Sequence, residues 1–515
     1  MSGLDAGQRS STLGPRGARK GLVRSIPPFV RLTTVTMFAL LLLGTFILPQ
    51  LRIPDEKHHA DMVLMVQEGT WIEQGWPGIG DRRLDSSIVE ASLSLGPREQ
   101  ALRENRAAQH PPLFYLAAAL TSFLVTVTVD NPDLVLQLWS FRLVSVLASA
   151  VLPITFYLIA SEMTTNKWIR LTSAVVPLGI PGITLRDGPM INNGALLVAL
   201  TSLSVLYAVR VAKGDLARRT GIHLGLSTGL AALTRGHALV VIPVIIVAYS
   251  LHIIRDRRVT REWLQSVALS GGISLAIGGW WWIRNLIMYG ALQPVIHLEP
   301  VTEPLVFDWL AFDWIGWLTE ATERIVGSFW GGQFALGGRS YMPLFWILTI
   351  LLAFGCVVGW VRSRDRIASS VSGMYALLLI PAVLLTSAFL SAERGRVVGV
   401  HGRYFFPGIA GVAPLVVLAV AGIARRASRW LPALFVTGSV AMTFLAIRYM
   451  LGRYWSSSGP EWGDRWSEVL ASSPFPGAIA SGILVVTAAA FLTLVVSAVL
   501  VGLRGNSRSA AKTGL

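Results

Sequence analysis

Apolar runs of about 17 to 25 residues recur through most of the chain, and they limit its fold more than any other feature. A helix of that length crosses roughly 30 Å of hydrocarbon and satisfies its own backbone hydrogen bonds there. The composition agrees, because 53% of the residues are hydrophobic and 14% are charged, whereas charged residues make up about a quarter of a soluble domain. We therefore predict an all-α polytopic membrane protein.

The basic residues lie in short clusters between the apolar runs, as they do in the cytoplasmic loops of membrane proteins. The formal charge of +15 is thereby explained without nucleic acid as a partner. The clusters lie near residues 16–24, 167–170, 210–219, 255–261, 362–366, 425–429 and 504–512. With these clusters inside, both termini are predicted to be cytoplasmic.

Twelve apolar runs fit this charge pattern as transmembrane helices. The predicted spans lie near residues 33–50, 137–160, 168–185, 194–209, 221–234, 237–254, 265–283, 343–361, 372–390, 404–423, 430–450 and 477–503. A further apolar run, residues 113–129, would place the basic cluster at Lys167 outside if it crossed. We therefore predict a helix that lies in the interface or dips back, with a thirteenth crossing as the alternative.

The predicted organisation has four parts. A disordered basic cytoplasmic tail (1–30) precedes a membrane module (31–410), which is followed by C-terminal transmembrane helices (411–503) and a second cytoplasmic tail (504–515). Two large outside loops, 51–136 and 284–342, belong to the membrane module, and in-plane helices are expected in the first. The single cysteine, Cys356, lies in an apolar run and excludes an intramolecular disulfide.

The first outside loop begins with carboxylates and imidazoles directly after the first span. Asp55 and Glu56 come first, and Asp55 and His59 would share one face of a helix at a spacing of four residues. A carboxylate at the membrane surface can act as a general base towards an attacking hydroxyl. The alternative is a solvated helix start, where acids interact favourably with the helix dipole.

Four arginines lie at the outer ends of predicted spans instead of in the basic clusters. They are Arg142, Arg235, Arg284 and Arg403. Each is costly near hydrocarbon unless it is paired. Together with the neighbouring His237 and Tyr404, they could form a cationic pocket for a phosphate-bearing lipid. The alternative is that each arginine snorkels and anchors a helix end.

Metal binding is left open by the sequence. His58, His59 and His110 could hold a metal together with Glu56, but their spacing matches no standard zinc pattern. No cofactor is assigned, and a divalent cation remains an alternative.

The order of motifs resembles the GT-C superfamily of integral-membrane glycosyltransferases. The motifs are Pro-Asp-Glu at 54–56, His-Pro-Pro-Leu-Phe-Tyr at 110–115, Phe-Arg-Leu-Val-Ser at 141–145, Ile-Arg-Asn-Leu-Ile-Met-Tyr-Gly at 283–290 and Gly-Arg-Tyr-Phe-Phe-Pro at 402–407. The chain is most similar to bacterial relatives of protein mannosyltransferases and aminoarabinose transferases. The resemblance extends from the first span to about residue 410.

The resemblance implies a GT-C-like fold and transfer of a sugar from a polyprenyl-phosphate donor to an extracytoplasmic cell-envelope acceptor, with inversion. It implies Asp55 as the base, with Glu56 positioning the acceptor or a cation. Arg284 and Arg403 are the first candidates for the donor phosphate, with Arg142 and Arg235 behind them. His59, His110, His237 and Tyr404 are further candidate substrate-binding residues. Where many relatives have an acid after the third crossing, this chain has Asp187 and Asn192.

The implied partners are a polyprenyl-phosphate-linked sugar, a glycan, lipid or protein acceptor, and membrane lipids. The implied location is the bacterial plasma membrane, with the site facing outwards. Two alternatives from other classes are a transporter or flippase of a lipid-linked glycan, and a non-catalytic scaffold for envelope assembly. A transporter would need the phosphate groove but not the base, and it should contain inverted repeats, of which the sequence gives no convincing sign.

Overall fold

The computed structural model describes residues 26–53, 55–69, 105–293, 308, 310–331, 341–394, 397–456 and 459–510, and all the regular secondary structure in these ranges is helical. The first nine α-helices are α1 (Pro28–Ile47), α2 (Glu56–Gln67), α3 (Leu113–Thr126), α4 (Leu134–Ala150), α5 (Leu152–Met163), α6 (Lys167–Val175), α7 (Asn193–Ala212), α8 (Arg218–Ala232) and α9 (Val241–Asp256). The next nine are α10 (Arg261–Ser274), α11 (Trp280–Tyr289), α12 (Trp314–Phe329), α13 (Met342–Arg362), α14 (Arg366–Arg394), α15 (Phe406–Ile423), α16 (Leu431–Tyr454), α17 (Trp462–Ala471) and α18 (Gly477–Ala510).

Ten helical segments of the described residues are long and apolar enough to cross a membrane, which confirms the all-α polytopic fold. They are Pro28–Ile47, Leu134–Met163, Asn193–Ala212, Gly236–Asp256, Arg261–Tyr289, Met342–Arg362, Arg366–Ala392, Gly402–Ile423, Arg425–Tyr454 and Gly477–Arg504. The predicted boundaries between tails and membrane module stay predictions. Residues 1–25 and 511–515 of those tails, and residues 70–104, 294–307 and 332–340 of the two large loops, lie outside the described residues.

Two of the twelve predicted spans are not among these ten. Over 168–185 the chain forms α6, then a 3-10 turn (Val176–Gly179) and a π-helical turn (Ile183–Asp187). Pro177 and Pro181 interrupt the run, because proline lacks the N–H that an α-helix needs and crowds the preceding turn. Over 221–234 the chain forms α8, which has 15 residues. The total of twelve crossings remains a prediction.

The extra apolar run forms α3, which has 14 residues and is therefore about 21 Å long, less than the roughly 30 Å of hydrocarbon. It packs against α4, where the Thr121 hydroxyl lies 3.4 Å from the carbonyl oxygen of Ser140. Its free side is apolar, and Leu120 and Phe123 are more than half exposed. A short helix with an exposed apolar side fits contact with lipid without a full crossing.

One large apolar core joins helices from the beginning, middle and end of the chain. It contains side chains of α1, α4 to α7, α9 and α14 to α18. By contrast, α13 has an outward apolar face, on which Ile347, Leu351 and Phe354 are more than half exposed. In a membrane-spanning helix such a face contacts lipid. The helices α1, α7 and α15 thus contribute to the core, whereas α13 lies at the periphery.

Candidate active site

Asp55 and Arg403, which are 348 residues apart in the sequence, form an ion pair between the start of α2 and the turn that precedes α15. Asp55 directly precedes α2 and has a left-handed backbone, with φ of 72°. Asp adopts this conformation at lower cost than most residues. Arg403 lies in the 3-10 turn Gly402–Phe405 that leads into α15, and the His401 ring accepts a hydrogen bond from its backbone N–H.

The two partners differ in exposure and together fix the charge of the carboxylate. The Asp55 side chain is 39% exposed, while that of Arg403 is 8% exposed. Burial by itself would raise the pKa of the Asp55 carboxyl, but Arg403 and, more weakly, His59 and His58 hold that pKa below its usual range. Asp55 is therefore ionised at neutral pH and can be reached from outside.

Arg403 donates to Asp55 from only one of its three side-chain nitrogens. Its Nη2 donates to Asp55 Oδ2, whereas its Nε and Nη1 are buried and have no hydrogen-bond partner among the described residues. The same holds for Nε of Arg235. A buried donor without a partner costs about 1–3 kcal/mol, so such donors in a folded protein suggest a ligand.

Tyr404 brings the two arginines together. The guanidinium of Arg235 lies 5.0 Å from the centre of the Tyr404 ring, and that of Arg403 lies 5.6 Å from it. The His237 ring packs on the same tyrosine at 5.1 Å between ring centres. Cation–π contacts at these distances are attractive, and they place both guanidinium groups on the same tyrosine ring.

A small cavity lies among these side chains. Its lining includes Asp187, Arg235, His237, Arg403 and Tyr404, and its volume of about 20 Å³ is room for one water molecule. Asp187 belongs to the π-helical turn, where its Oδ1 lies 3.7 Å from Arg186 Nη1 and lacks a hydrogen bond within the described chain. Single π-helical turns are frequent at functional sites. Five predicted site residues thus share one cavity.

Glu56 lies next to Asp55 in the sequence but has different surroundings. It is fully buried and accepts hydrogen bonds from Arg142 Nε at 2.9 Å and Arg142 Nη2 at 3.0 Å. The backbone N–H groups of Leu51 and Ile191 donate to it at 3.0 and 3.1 Å. Four donors around an unexposed carboxylate leave no place for an acceptor or a cation.

Arg142 is equally enclosed, so the prediction that it helps to bind the donor phosphate does not fit the structure. Besides Glu56, it donates to the carbonyl oxygens of Thr45, Leu48 and Pro49 at 2.7, 2.8 and 3.2 Å. A guanidinium has five N–H donors, and these contacts use all of them. The Glu56–Arg142 pair instead joins the end of α1 to α4 and stabilises the backbone segment that contains Asp55.

Arg284 is also separate from the cavity. Its guanidinium lies 5.2 Å from the centre of the Trp281 ring and 5.7 Å from that of Tyr289, and it donates to the side chain of Asn285. All of these residues belong to α11. From the sequence we predict Arg284 as a first candidate for binding the phosphate. Of the four predicted arginines, however, only Arg235 and Arg403 line the cavity.

His59 and His110 stack behind Asp55 in an aromatic cluster. Their ring centres are 5.8 Å apart, and His59 Nδ1 lies 3.0 Å from the Tyr115 hydroxyl. Burial lowers the pKa of His59 to about 3, an effect that Asp55 only partly offsets, so the ring is neutral at pH 7. Burial also lowers the pKa of His110 well below its usual value. This cluster supports the start of α2.

Asn192 and its neighbour Asn193 have different roles. The Asn192 side chain accepts from the backbone N–H of Gly194 and caps α7, which is a structural role at a helix start. Asn193, which sequence reasoning did not single out, accepts a hydrogen bond from Arg235 Nη1 at 3.3 Å and donates to the carbonyl oxygen of Thr234 at 3.2 Å. It orients Arg235 towards the cavity.

Two further supports of the site were missed from the sequence. Asn105 donates to the His58 carbonyl oxygen at 3.0 Å and to the buried carboxylate of Asp61, which ties α2 to the segment before His110. The Gly402 N–H donates to the Ser328 hydroxyl at 2.7 Å, which places the end of α12 on the turn that carries Arg403. Asn105 and Ser328 belong to none of the quoted motifs, so only the fold reveals these contacts.

No group of three or more His, Cys, Asp or Glu side chains is placed to hold a metal ion within the part of the chain that the structure describes. The predicted set of His58, His59, His110 and Glu56 is divided, because Glu56 pairs with Arg142 and His59 with Tyr115. Asp187 and Asp55 remain the carboxylates closest to the cavity.

Solved structures similar to this chain include two kinds of protein with the GT-C fold. ArnT from Cupriavidus metallidurans in the apo state is 14% identical with a TM-score of 0.47, and the match covers 92% of this chain and 74% of that one. ArnT bound to undecaprenyl phosphate gives 14% and 0.44, with 94% and 77% covered. The Archaeoglobus fulgidus oligosaccharyltransferase in complex with Zn and sulfate gives 11% and 0.44, with 85% and 54% covered. TM-scores below 0.5 are too low to bear on the chain's activity.

Comparison with protein-family models identifies the family of the chain. No curated protein matches the chain. The family model described as "Predicted membrane protein (DUF2142)" matches residues 91–416, a stretch that includes Arg142, Asp187, Arg235 and Arg403 and begins after Asp55. Because this match spans more than half of the 515 residues, the chain belongs to the DUF2142 family of predicted membrane proteins.

Proposed function

We propose that this protein is a membrane glycosyltransferase that moves a sugar from a polyprenyl-phosphate donor to a cell-envelope acceptor, with Asp55 as general base. The observation that carries the proposal is the arrangement around Arg403. One guanidinium nitrogen pairs with a reachable carboxylate, and two others are buried without partners beside a second arginine. A base and an anion site next to each other are what transfer from a lipid phosphate needs.

Asp55 suits the role of base better than Glu56. Its side chain is 39% exposed, so an acceptor hydroxyl can reach it, whereas the Glu56 carboxylate is fully buried and accepts four hydrogen bonds. In the proposed step the acceptor O–H gives its proton to an Asp55 oxygen while the acceptor oxygen bonds to the anomeric carbon. Attack on the face opposite the phosphate inverts that carbon.

In the proposed complex the donor phosphate lies beside Arg403 and Arg235, where the cavity must widen to admit it because its volume is room for one water molecule. As the bond from the anomeric carbon to the phosphate oxygen breaks, its electron pair leaves with the lipid phosphate, and fixed cations stabilise that charge. Charge-assisted hydrogen bonds from guanidinium groups to phosphate are strong. The unpartnered Nε and Nη1 of Arg403 and Nε of Arg235 can supply them. A lipid phosphate departs without an acid partner, so one carboxylate suffices.

Arg403 also couples donor binding to the base. In the structure it holds the pKa of Asp55 below the usual range, which makes the carboxylate a weak proton acceptor. A bound phosphate that accepts hydrogen bonds from the Arg403 guanidinium weakens the attraction between Arg403 and Asp55. The pKa of Asp55 then rises. Asp55 would therefore become an effective base when the donor is present.

The runner-up, a flippase for a lipid-linked glycan, needs the arginines but not the base. To separate the two, purified protein in lipid nanodiscs is given radiolabelled undecaprenyl-phosphate sugars and an envelope extract as acceptor source. Released undecaprenyl phosphate and labelled acceptor are then counted. We expect Asp55→Asn to lower transfer about 10²- to 10⁴-fold, the usual contribution of a general base, while undecaprenyl-phosphate binding is retained.

Asp55→Asn is a clean substitution because Asn also tolerates the left-handed backbone at this position. The matched control is Asp130→Asn, an exposed carboxylate between α3 and α4, which should transfer normally. Arg403→Gln should weaken undecaprenyl-phosphate binding. Normal transfer by Asp55→Asn overturns the base, and unaltered lipid binding by Arg403→Gln overturns the phosphate site.

A further inference from the structure

A second polar cavity lies at the other end of the helices. Its volume is about 970 Å³, and it opens between the α5–α6 connection, the α13–α14 connection and α15. The helix α7 indicates the separation, because it begins beside the Ile191 amide that binds Glu56 and ends near Glu162 at this cavity. Twenty residues of helix make that distance about 30 Å.

The cavity wall carries more positive than negative charge. Its basic lining residues are Lys213, Arg362, Arg364 and Arg366, and its acidic ones are Glu162 and Asp365. Both carboxylates are already paired: Arg210 and Lys213 bind Glu162 at 3.0 and 3.4 Å, and Lys213 binds Asp365 at 3.2 Å. These ion pairs join α5, the C-terminal end of α7 and the α13–α14 connection, and both carboxylates of the cavity lining are thereby engaged by residues other than the three arginines.

The three arginines at the mouth of the cavity differ in their contacts. Arg362 donates to the Ala419 carbonyl oxygen at 3.4 Å, and Arg366 donates to that of Val361 at 2.7 Å while lying over Trp360. Arg364 is exposed, and no hydrogen bond or ion pair engages it within the described ranges. Donors of all three remain for an anion.

The remaining lining explains why the anion would belong to a lipid. Ile169, Ile367 and Leu418 form apolar wall, and the hydroxyls of Ser161, Thr164 and Thr165 lie beside the basic mouth. An apolar wall next to a cationic mouth, at the end of membrane-spanning helices, suits a phosphate group attached to acyl chains. Basic pockets between transmembrane helices bind anionic head groups in this way.

We infer that this cavity binds the phosphate head group of an anionic phospholipid, at the membrane face opposite the Asp55–Arg403 site. The inference does not depend on the proposed transfer reaction. The phosphate would lie between Arg362, Arg364 and Arg366, and the first part of an acyl chain would lie on Leu418 and Ile169. The bound lipid would then bridge the α5–α6 and α13–α14 connections.

The test is native mass spectrometry of the full chain released from nanodiscs of phosphatidylglycerol and phosphatidylcholine. We expect wild type to keep phosphatidylglycerol in preference to phosphatidylcholine. The triple variant Arg362→Gln, Arg364→Gln, Arg366→Gln should bind it about 10-fold or more weakly, as the loss of charge-assisted hydrogen bonds implies. The matched control removes the same charge at Arg257, Arg258 and Arg261, exposed arginines of the α9–α10 connection, and should bind normally.

A second variant separates the cavity from general surface charge. Thr165→Trp fills the mouth at an exposed lining residue without changing charge, and it should also lose the lipid. Equal losses in both arginine triples, or full retention in Thr165→Trp, would overturn the site. Inorganic phosphate is added to the detergent-solubilised protein in a parallel arm. If it binds as tightly as the lipid, the lipid as source of the phosphate is wrong.

Discussion

Asp55 and Glu56 show how one peptide unit can separate two carboxylates into different roles. The left-handed backbone of Asp55 turns its side chain towards Arg403, while the first turn of α2 directs Glu56 into the protein. Asp55 remains partly exposed and pairs with Arg403, two of whose nitrogens have no partner among the described residues. Glu56 faces an arginine whose five donors are all used. Asp55 can therefore exchange its hydrogen-bond partner, whereas Glu56 cannot.

The buried pair should therefore be a stability element, and Glu56→Gln is expected to lower the free energy of unfolding by about 3–5 kcal/mol, because it leaves the Arg142 charge buried without a counter-charge. Melting temperatures of the purified protein in one detergent would show this. The double variant Glu56→Gln, Arg142→Met should lose less than the sum of its single losses, since the partners interact directly. Asp130→Asn, which changes an exposed carboxylate between α3 and α4, serves as control, and an equal drop in its melting temperature would contradict the structural role of the buried pair.

At the residue scale, the sequence could locate the site but not its pairings. Asp55, Arg235, His237 and Arg403 stood out because charge at the outer end of an apolar run needs a reason. Their partners could not be read from the sequence, because the Asp55–Arg403 pair spans 348 residues and forms only in the folded chain. Arg142 looked the same as Arg403 in sequence, and the structure distinguishes them because all five donors of Arg142 are used, whereas Nε and Nη1 of Arg403 have no partner among the described residues.

Among the elements, α12 has the most direct influence on the site. A Cβ atom on Gly402 would overlap the backbone nitrogen and Cα of Phe329 and lie 2.5 Å from the Ile325 carbonyl oxygen. The helix also donates from the Trp317 ring to Ser391 and from Arg324 to the Val397 carbonyl oxygen. The position of Arg403 thus depends on close contact between its neighbour and the end of this helix.

Gly402→Ala should push α12 off the turn that carries Arg403. We expect it to lower stability by about 1–3 kcal/mol, as overpacking does, and to weaken undecaprenyl-phosphate binding because Arg403 shifts. Melting temperature and lipid binding would be measured on the same preparation. The control, Gly438→Ala in α16, meets nothing within 4 Å and should gain about 0.5–1 kcal/mol. Normal lipid binding by Gly402→Ala would show that the contact is not needed.

The elements themselves were predictable where hydropathy is continuous, and less so where backbone chemistry intervenes. The long apolar runs became α1, α7 and α13 close to their predicted positions. Pro177 and Pro181 lie inside a run that hydropathy counts as one span, and the structure breaks it into helical pieces. That break forms the π-helical turn of Asp187, so a departure from the simple pattern contributes a wall of the cavity.

For the whole molecule, the main feature is a separation of two polar regions by about 30 Å of helix. Asp55 and the cationic cavity lie at one end, and the arginines of the α13–α14 connection lie at the other. The predicted sidedness follows from the positive-inside rule, with the first region outside. The sidedness depends on the number of membrane crossings, and that number depends on whether α3 crosses the membrane.

Contacts at both ends of α3 favour a helix that does not cross. His110, just before it, stacks on His59 of α2, and the carbonyl oxygen of Val135, at the start of α4, accepts a hydrogen bond from Gln50 at 2.9 Å. Gln50 and His59 both belong to the segment that follows the outer end of α1. A helix that leaves and returns beside the same segment stays on one side.

Cysteine labelling can decide this, since Cys356 can be replaced by serine and single cysteines introduced by Arg52→Cys, Asp130→Cys and Thr165→Cys. If α3 does not cross, a membrane-impermeant thiol reagent added to intact cells should label positions 52 and 130 and spare 165. If α3 crosses, the parity changes after it, and positions 52 and 165 should be labelled while 130 is spared. Lysed cells, in which all three positions should react, provide the control for accessibility. Labelling at 130 without 165 would leave Asp55 and the turn before α4 on one face, with the arginines at 362–366 on the other.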